Sequence, residues 1–193
     1  MQILHPFEGS VQEYLQQLAD VDKGRPARCP QCQANEQLTA HGCYWRTIVD
    51  SNFDGPIRVR RYLCESCQRT VSLLPEFALP YRRFSVAVIA FCIVARILHG
   101  HTLPQPYQRV QHWLRRFRAH AQSLCASLAA VTAPVSAANF ENRAVHMLNA
   151  VERGWTGAHR FLFGQLRDHL LGWPPSLAPN GRRTALNPVI ASG

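Results

Sequence analysis

The sequence predicts an α+β fold in which a small three-stranded zinc ribbon precedes an all-helical, helix-turn-helix-like region. Two Cys-x-x-Cys pairs enclose a segment that alternates with the period of β-strands. Beyond Ser85 the apolar residues instead recur at steps of three and four, the period of helices. The expected parts are a lead-in at 1–27, the ribbon at 28–78, the helical region at 79–133, C-terminal helices at 134–173 and a flexible tail at 174–193.

The lead-in is expected to hold one short helix near 11–19. Ser10 and Glu13 fit a capping box, and Val11 and Leu15 fall on one apolar face.

Three strands are expected in the ribbon, around 44–49, at 57–63 and at 70–74. In the second of these, Ile57, Val59 and Leu63 share one face, and the opposite face carries Arg58, Arg60 and Tyr62. A turn is expected at 52–56, where Asn, Asp, Gly and Pro cluster.

Two helices are expected next, because Ser85 suits a helix N-cap and Pro106 suits a first helical turn. The first runs to about Leu98. The second is long and carries one apolar stripe, formed by Val110, Trp113, Leu114, Phe117, Ala121, Leu124, Leu128 and Val131. Weaker helical patterns follow at 137–152 and 157–171.

The two cysteine pairs predict one structural Zn²⁺ ion with the ligands Cys29, Cys32, Cys64 and Cys67. Four thiolates close a tetrahedral shell and leave no position for a catalytic water. The alternatives are free or redox cysteines, and His41 or Cys43 as a substitute ligand. Cys92 and Cys125 fall on apolar helical faces and are expected in the core.

The net charge of +9 belongs to one part of the chain, since fourteen arginines and five acidic residues lie between Arg25 and Arg118. A basic segment is typical of proteins that bind a polyanion. A charged face that contacts another protein is the alternative. The side chains expected to contact DNA are Arg58, Arg60, Arg61, Arg69, Arg82, Arg83, Arg109, His112, Arg115 and Arg116.

The motifs resemble a known family. Cys-Pro-x-Cys at Cys29, Arg-Tyr-x-Cys-x-x-Cys-x-Arg-Thr ending at Thr70, and Pro-Tyr-Arg-Arg ending at Arg83 are similar to bacterial transposase-associated zinc-ribbon proteins of insertion sequences. The resemblance covers about residues 28–118. It implies that the four paired cysteines bind zinc and that the helix ending near Phe117 is a DNA-recognition helix. Residues 100–105 are too few for the extra helix of a full helix-turn-helix, so either the lead-in helix replaces it or the helices pair differently.

The expected function is that of a non-catalytic DNA-binding protein of a mobile element, acting as a transposition accessory or a repressor. Its partners would be double-stranded DNA and a transposase, without a membrane or a small-molecule substrate. An adaptor that docks a transposase or RNA polymerase is the alternative. An enzyme is not expected, because the only acids after Glu76 are Glu141, Glu152 and Asp168. Met1–His5 lacks the basic start of a secretory leader, so a cytoplasmic, nucleoid-associated protein in bacteria is expected.

Overall fold

The chain is described by a computed structural model over residues 1–17, 24–101 and 107–172. The predicted α+β class is confirmed, since these residues form a four-stranded sheet and five α-helices. The strands are β1 (Gln2–His5), β2 (Leu38–Asp50), β3 (Phe53–Cys64) and β4 (Thr70–Pro75). The helices are α1 (Val11–Gln17), α2 (Val86–Ile97), α3 (Tyr107–Leu128), α4 (Phe140–Ala150) and α5 (Gly154–Phe161). The predicted tail at 174–193 lies outside the described residues.

The sheet has the order β1-β4-β3-β2 and thus one strand more than the predicted ribbon. β1 pairs in parallel with β4, from Gln2 opposite Ser72 to His5 opposite Pro75. The amino group of Met1 donates to the carbonyl oxygen of Thr70 at 2.7 Å. Four residues are too few to show an alternating pattern, so β1 was not among the predicted strands. Through this strand the lead-in becomes part of the sheet.

The hairpin between β2 and β3 is longer than predicted, and its turn is shorter. Asp50 pairs with Phe53, which leaves only two residues in the turn. The expected turn at 52–56 was therefore wrong for Phe53 and the residues after it. Pro56 is tolerated in β3 because β4 pairs only with Arg60–Leu63, so the strand has a free edge at the proline.

A β-bulge in β2 decides which side chains face which core. Leu38 lies opposite Cys64 and Tyr44 lies opposite Val59, and the register shifts between them. Gly42 sits in the bulge with φ 80°, a left-handed conformation that glycine adopts without strain. Because of the extra residue, Leu38 and Tyr44 contact opposite faces of the sheet although both have even numbers.

Each face of the sheet has its own apolar cluster. One face contacts α1 and the chain before it, and its buried residues are Phe7, Val11, Tyr14, Ile48, Ile57, Val59, Leu74 and Ala78. The other face is covered by the cysteine loops, and its buried residues are Cys29, Leu38, Tyr62, Cys64, Val71 and Leu73. The predicted division of β3 into two faces is confirmed for Ile57 and Val59. Tyr62 shares a face with Arg60 as expected, but it is fully buried.

The helices share a third and larger core. The predicted stripe of α3 is buried from Val110 to Leu128, whereas Val131 lies beyond the helix and is exposed. α4 lies within the predicted region at 137–152. α5 overlaps the predicted region at 157–171 only in part, because it begins at Gly154 and ends at Phe161. α5 passes into a π-helical turn, Leu162–Leu166, which ends at Arg167 with φ 54°. None of the described helices combines the length and apolar content that crossing a membrane requires.

The sheet and the helices are joined without a free linker. Arg46 of β2 donates to the carbonyl oxygens of Leu79 and Arg82. The hydroxyl of Ser85 accepts from the amide of Val88 at 3.1 Å, the N-cap contact predicted for α2, and lies 2.5 Å from the carboxylate of Asp50. The expected boundary between 78 and 79 therefore falls in a segment that is hydrogen-bonded to β2.

Two buried histidines belong to this junction. His159 of α5 is fully buried, and burial lowers its pKa to about 3. Burial also lowers the pKa of His169 to about 4, and the ring Nε2 lies 3.3 Å from the carbonyl oxygen of Pro80. Both rings are therefore neutral in the folded protein near pH 7.

We expect these histidines to make the fold acid-sensitive. In the unfolded chain they gain protons below about pH 6.5, whereas in the folded chain they gain them only near pH 3 to 4, so lowering the pH favours unfolding. His159→Leu should reduce by up to one the number of protons taken up on unfolding. The free energy of unfolding should then fall less steeply between pH 6 and 4, by about 1.4 kcal/mol per pH unit. Urea unfolding at several pH values measures the slope. An unchanged slope, or an equal decrease in the exposed His146→Leu, would contradict the assignment.

A second prediction concerns the bulge. Gly42→Ala should lower the free energy of unfolding by about 1 kcal/mol, because a Cβ is strained at positive φ. No atom lies within 4 Å of the added Cβ, so collision contributes nothing. Gly42→Asn should cost less, since asparagine tolerates this conformation. Chemical unfolding of the three proteins compares them, and equal stability of Gly42→Ala and the parent would show that the bulge relaxes.

Candidate metal centre and basic surfaces

The two cysteine loops have the same backbone structure. The backbone amide of Cys29 donates to the carbonyl oxygen of Ala34 at 2.9 Å, and the amide of Cys64 donates to the carbonyl oxygen of Arg69 at 3.0 Å. The residue that follows each pair, Gln33 or Gln68, is left-handed, and its amide donates back to the carbonyl oxygen of the first cysteine. This repeated turn points both thiols of a pair to the same side. The sequence spacing predicted the two loops but not the left-handed glutamines.

The four sulfur atoms form a compact cluster that fits zinc. All four ligand atoms lie within 4.8 Å of one another. The Sγ atoms of Cys29 and Cys67 are 3.8 Å apart, and those of Cys32 and Cys64 are 3.6 Å apart. A tetrahedron with Zn–S bonds of about 2.3 Å has edges of roughly 3.8 Å. The predicted ligands are thus brought together at the separations of a Cys₄ zinc site.

The surroundings of the cluster shift the pKa values of two of its thiols in opposite directions. Burial of Cys29 opposes ionisation, but the amides of Cys32 and Gln31 favour the thiolate and lower its pKa to about 7. Burial raises the pKa of Cys67 to about 12, and contacts with the other thiols add to this increase. Successive thiolates so close together repel one another. A divalent cation removes this repulsion, so its binding releases protons.

The other cysteines and His41 are not among the clustered ligands. His41 is exposed on β2, and the Cys43 thiol instead contacts guanidinium groups of β3. Cys92 and Cys125 are buried in the helical core, as predicted. Among the described residues, the cluster of Cys29, Cys32, Cys64 and Cys67 is the set placed to hold a metal ion.

The outer hairpin face, defined here as Cys43, Trp45, Arg58 and Arg60, combines an aromatic ring with positive charge. Cys43 lies opposite Arg60 and Trp45 opposite Arg58 in the β2–β3 register. The Arg58 guanidinium lies 5.8 Å from the centre of the Trp45 ring. Trp45 is 66% exposed. Arg60 lies over the buried Tyr62 ring at 5.7 Å. Trp45 was not a predicted site residue. The alternation of side chains along β2 nevertheless places it on the face away from Tyr44, and thus beside the arginines.

A second surface, the α3 basic cluster, consists of Arg82, His112, Arg115 and Arg116. Arg115 lies 3.4 Å from the Nδ1 atom of His112. Burial lowers the pKa of His112, and Arg82, Arg116 and Arg115 lower it further, so all three guanidinium groups act on this ring. Among the residues that the structure describes, no carboxylate shifts the pKa of His112. Such a concentration of positive charge favours an anion as partner.

Some predicted contact residues already have partners in the protein. Arg116 donates to the carbonyl oxygens of Leu171, at 3.0 Å, and of Gly172. Arg83 pairs with the carboxylate of Asp54 at 2.6 Å. Neither contact was predicted, because both partners are distant in sequence. These two guanidinium groups have a structural role that limits their contribution to a partner.

The other arginines predicted to contact DNA are more available to a binding partner. Arg109 is exposed and lies over the Phe84 ring at 5.4 Å. Arg61 and Arg69 both lie near the amino group of Met1, whose pKa is lowered first by burial and then by these two charges. Among described residues, none of these arginines forms an ion pair with a carboxylate.

Two of the acids considered for catalysis, Glu141 and Asp168, contact basic side chains. Glu141 pairs with Arg118 at 2.9 Å. Asp168 lies 3.2 Å from the Nε2 atom of His120; burial raises its pKa, but the histidine contact outweighs this effect and lowers it.

Replacement of a cluster cysteine should abolish metal binding. We expect Cys64→Ser to lose the bound zinc and to unfold in the sheet, because structural zinc sites contribute on the order of 10 kcal/mol. Metal content by plasma mass spectrometry and the circular dichroism spectrum measure the two effects.

Cys43→Ser is the matched control, since this cysteine also lies in the β2–β3 hairpin but outside the cluster. It should keep one zinc per chain. Zinc retained in Cys64→Ser, or lost in Cys43→Ser, would show that the ligand assignment is wrong.

Comparison with known proteins gives one match. A family described as a domain of unknown function, DUF6431, matches residues 29–117. The matched region begins at the first cysteine of the cluster and ends within α3, so it contains all four clustered cysteines and most of the basic residues. No curated protein and no solved structure gives a significant match.

Proposed function

We propose that the chain is a zinc-containing DNA-binding protein of a bacterial mobile genetic element. It acts without catalysis, as a transposition accessory or a transcriptional repressor, and double-stranded DNA is its main partner. The setting in a mobile element comes from the sequence resemblance to insertion-sequence ribbons. DNA binding has independent support from the positions of the basic side chains.

The observation that carries the proposal is the α3 basic cluster. Arg82, His112 and Arg115 lie together beside the first turns of α3, and within the described part of the chain no carboxylate shifts the pKa of His112. A buried stripe on the opposite side of α3 holds the helix in the core. Basic groups on a helix with a fixed orientation suit phosphate binding, and an exposed guanidinium suits contact with base edges.

Zinc supports this function through the sheet. With zinc bound, the cysteine loops fix β3 and β4, and the arginines of β3 point outward from a rigid strand. Glu141 forms an ion pair with Arg118, and Asp168 contacts His120, which fits a non-catalytic role. A helix-turn-helix arrangement remains part of the proposal, because residues 102–106 before α3 lie outside the described residues.

An adaptor that docks a transposase or RNA polymerase is the second candidate. One observation favours it: Phe91 on α2 is 67% exposed and apolar. Exposed aromatic residues are enriched at protein interfaces. Binding of DNA at low salt separates the two functions, since the adaptor does not require it.

The salt dependence of DNA binding tests the main proposal. Five phosphate contacts would give a slope of about −4.5 in a plot of log K against log salt for a duplex. Arg115→Ala should make this slope less steep by about 0.9, because one phosphate contact is lost. Fluorescence anisotropy with a labelled duplex measures it.

Arg118→Ala is the control, because this residue also lies on α3 but pairs with Glu141. It should leave the slope within error of the parent. The proposal is refuted by an absence of duplex binding at low salt, and the α3 assignment is refuted by equal effects of the two substitutions.

A further inference from the structure

We propose that the outer hairpin face binds unpaired nucleotides, with a base stacked on Trp45 and the adjacent phosphates bound by Arg58 and Arg60. This inference rests on the proposed function and adds to it a second mode of binding. The protein would then recognise DNA that is partly open, with duplex on the α3 basic cluster and a single strand on the hairpin.

The first reason is the exposed indole. Trp45 is 66% exposed, on the side of β2 that faces away from the cluster containing Ile48 and Ile57. An aromatic side chain there loses the burial that normally stabilises it. In a duplex the faces of the bases are covered by their neighbours, whereas an unpaired base can stack on an aromatic ring.

The second reason is the charge beside the ring. Arg58 lies over the indole at 5.8 Å, and its Nη2 atom is 3.7 Å from the Cys43 sulfur. Arg60 lies 3.9 Å from the same sulfur and is also hydrogen-bonded to the Tyr62 side chain, which leaves its other donors for a partner. A thiol is a weak acceptor, and no described carboxylate pairs with either arginine. Both guanidinium groups thus keep donors for an anion, which favours nucleic acid over an apolar or basic protein partner.

The third reason is the spacing. Arg58 and Arg60 are two residues apart on β3, so their Cα atoms are separated by about 6.8 Å. In an unpaired strand, successive phosphates are separated by more than the axial rise of about 3.4 Å per nucleotide that stacked DNA shows. Two guanidinium groups at this separation can therefore reach neighbouring phosphates of one strand while one base contacts the indole. The sheet fixes this arrangement, since Trp45 and Arg58 are directly paired across the strands.

Binding of two DNA probes tests the inference. The probes are a fluorescent single strand of about 15 thymidines, near the upper site size for one such surface, and a duplex of the same length. Trp45→Ala should weaken single-strand binding about tenfold or more and change duplex binding less than about twofold. Trp45→Phe should restore most of the single-strand affinity, because a phenyl ring still stacks. Arg58→Ala should reduce the single-strand salt slope by about 0.7.

Phe91→Ala is the control, because it removes an equally exposed aromatic side chain from α2. It should leave both affinities unchanged. One zinc per chain in every variant shows that the fold is retained. If Trp45→Ala loses zinc, the salt slope of single-strand binding by Arg58→Ala decides whether the outer hairpin face binds nucleotides.

The outcomes separate the two proposals. Duplex binding without single-strand binding, or equal losses on both probes in Trp45→Ala, overturns the hairpin inference and leaves the proposed function standing. Single-strand binding without duplex binding supports the hairpin and overturns the duplex proposal. If the protein binds neither probe and Trp45→Ala instead lowers self-association in sedimentation, the face is an interface between copies and both proposals fail.

Discussion

The convergence of four thiols is the constraint on which the sheet depends. Cys29 and Cys32 come from a loop before β2, Cys64 ends β3, and Cys67 lies in the turn between β3 and β4. Among the described residues, the apolar cluster on one face of the sheet has six buried members, and two of them, Cys29 and Cys64, are themselves ligands. A core of this size cannot offset the entropy of ordering both loops. Zn–S bonds would supply the difference, so we expect metal binding and folding of this part to be one event.

The division between structural and available arginines follows from geometry. Arg46, Arg83 and Arg116 have acceptors within the protein and connect elements that are distant in sequence. Arg58, Arg109 and Arg115 are exposed. In the sequence these residues look alike, because composition and local spacing do not show which carbonyl or carboxylate lies nearby. Charge on this protein therefore has two uses, fixing the junction between sheet and helices and offering donors to an anion.

The sequence predicted those features that depend on local pattern. The metal ligands followed from two spacings, the start of α2 from Ser85, and the buried stripe of α3 from its periodicity. Features that depend on distant contacts were missed. β1 is defined by its pairing with β4, and the end of the β2–β3 turn is set by the packing of Phe53 against the sheet. The π-helical turn after α5 likewise leaves Leu166 44% exposed, although this residue lies in the predicted helical region at 157–171.

The metal site is the central claim, and X-ray absorption at the zinc edge of the purified protein tests it most directly. The account predicts a single shell of four sulfur atoms at about 2.3 Å. A first shell that contains nitrogen or oxygen, fewer than four sulfur atoms, or less than one zinc per chain would contradict it.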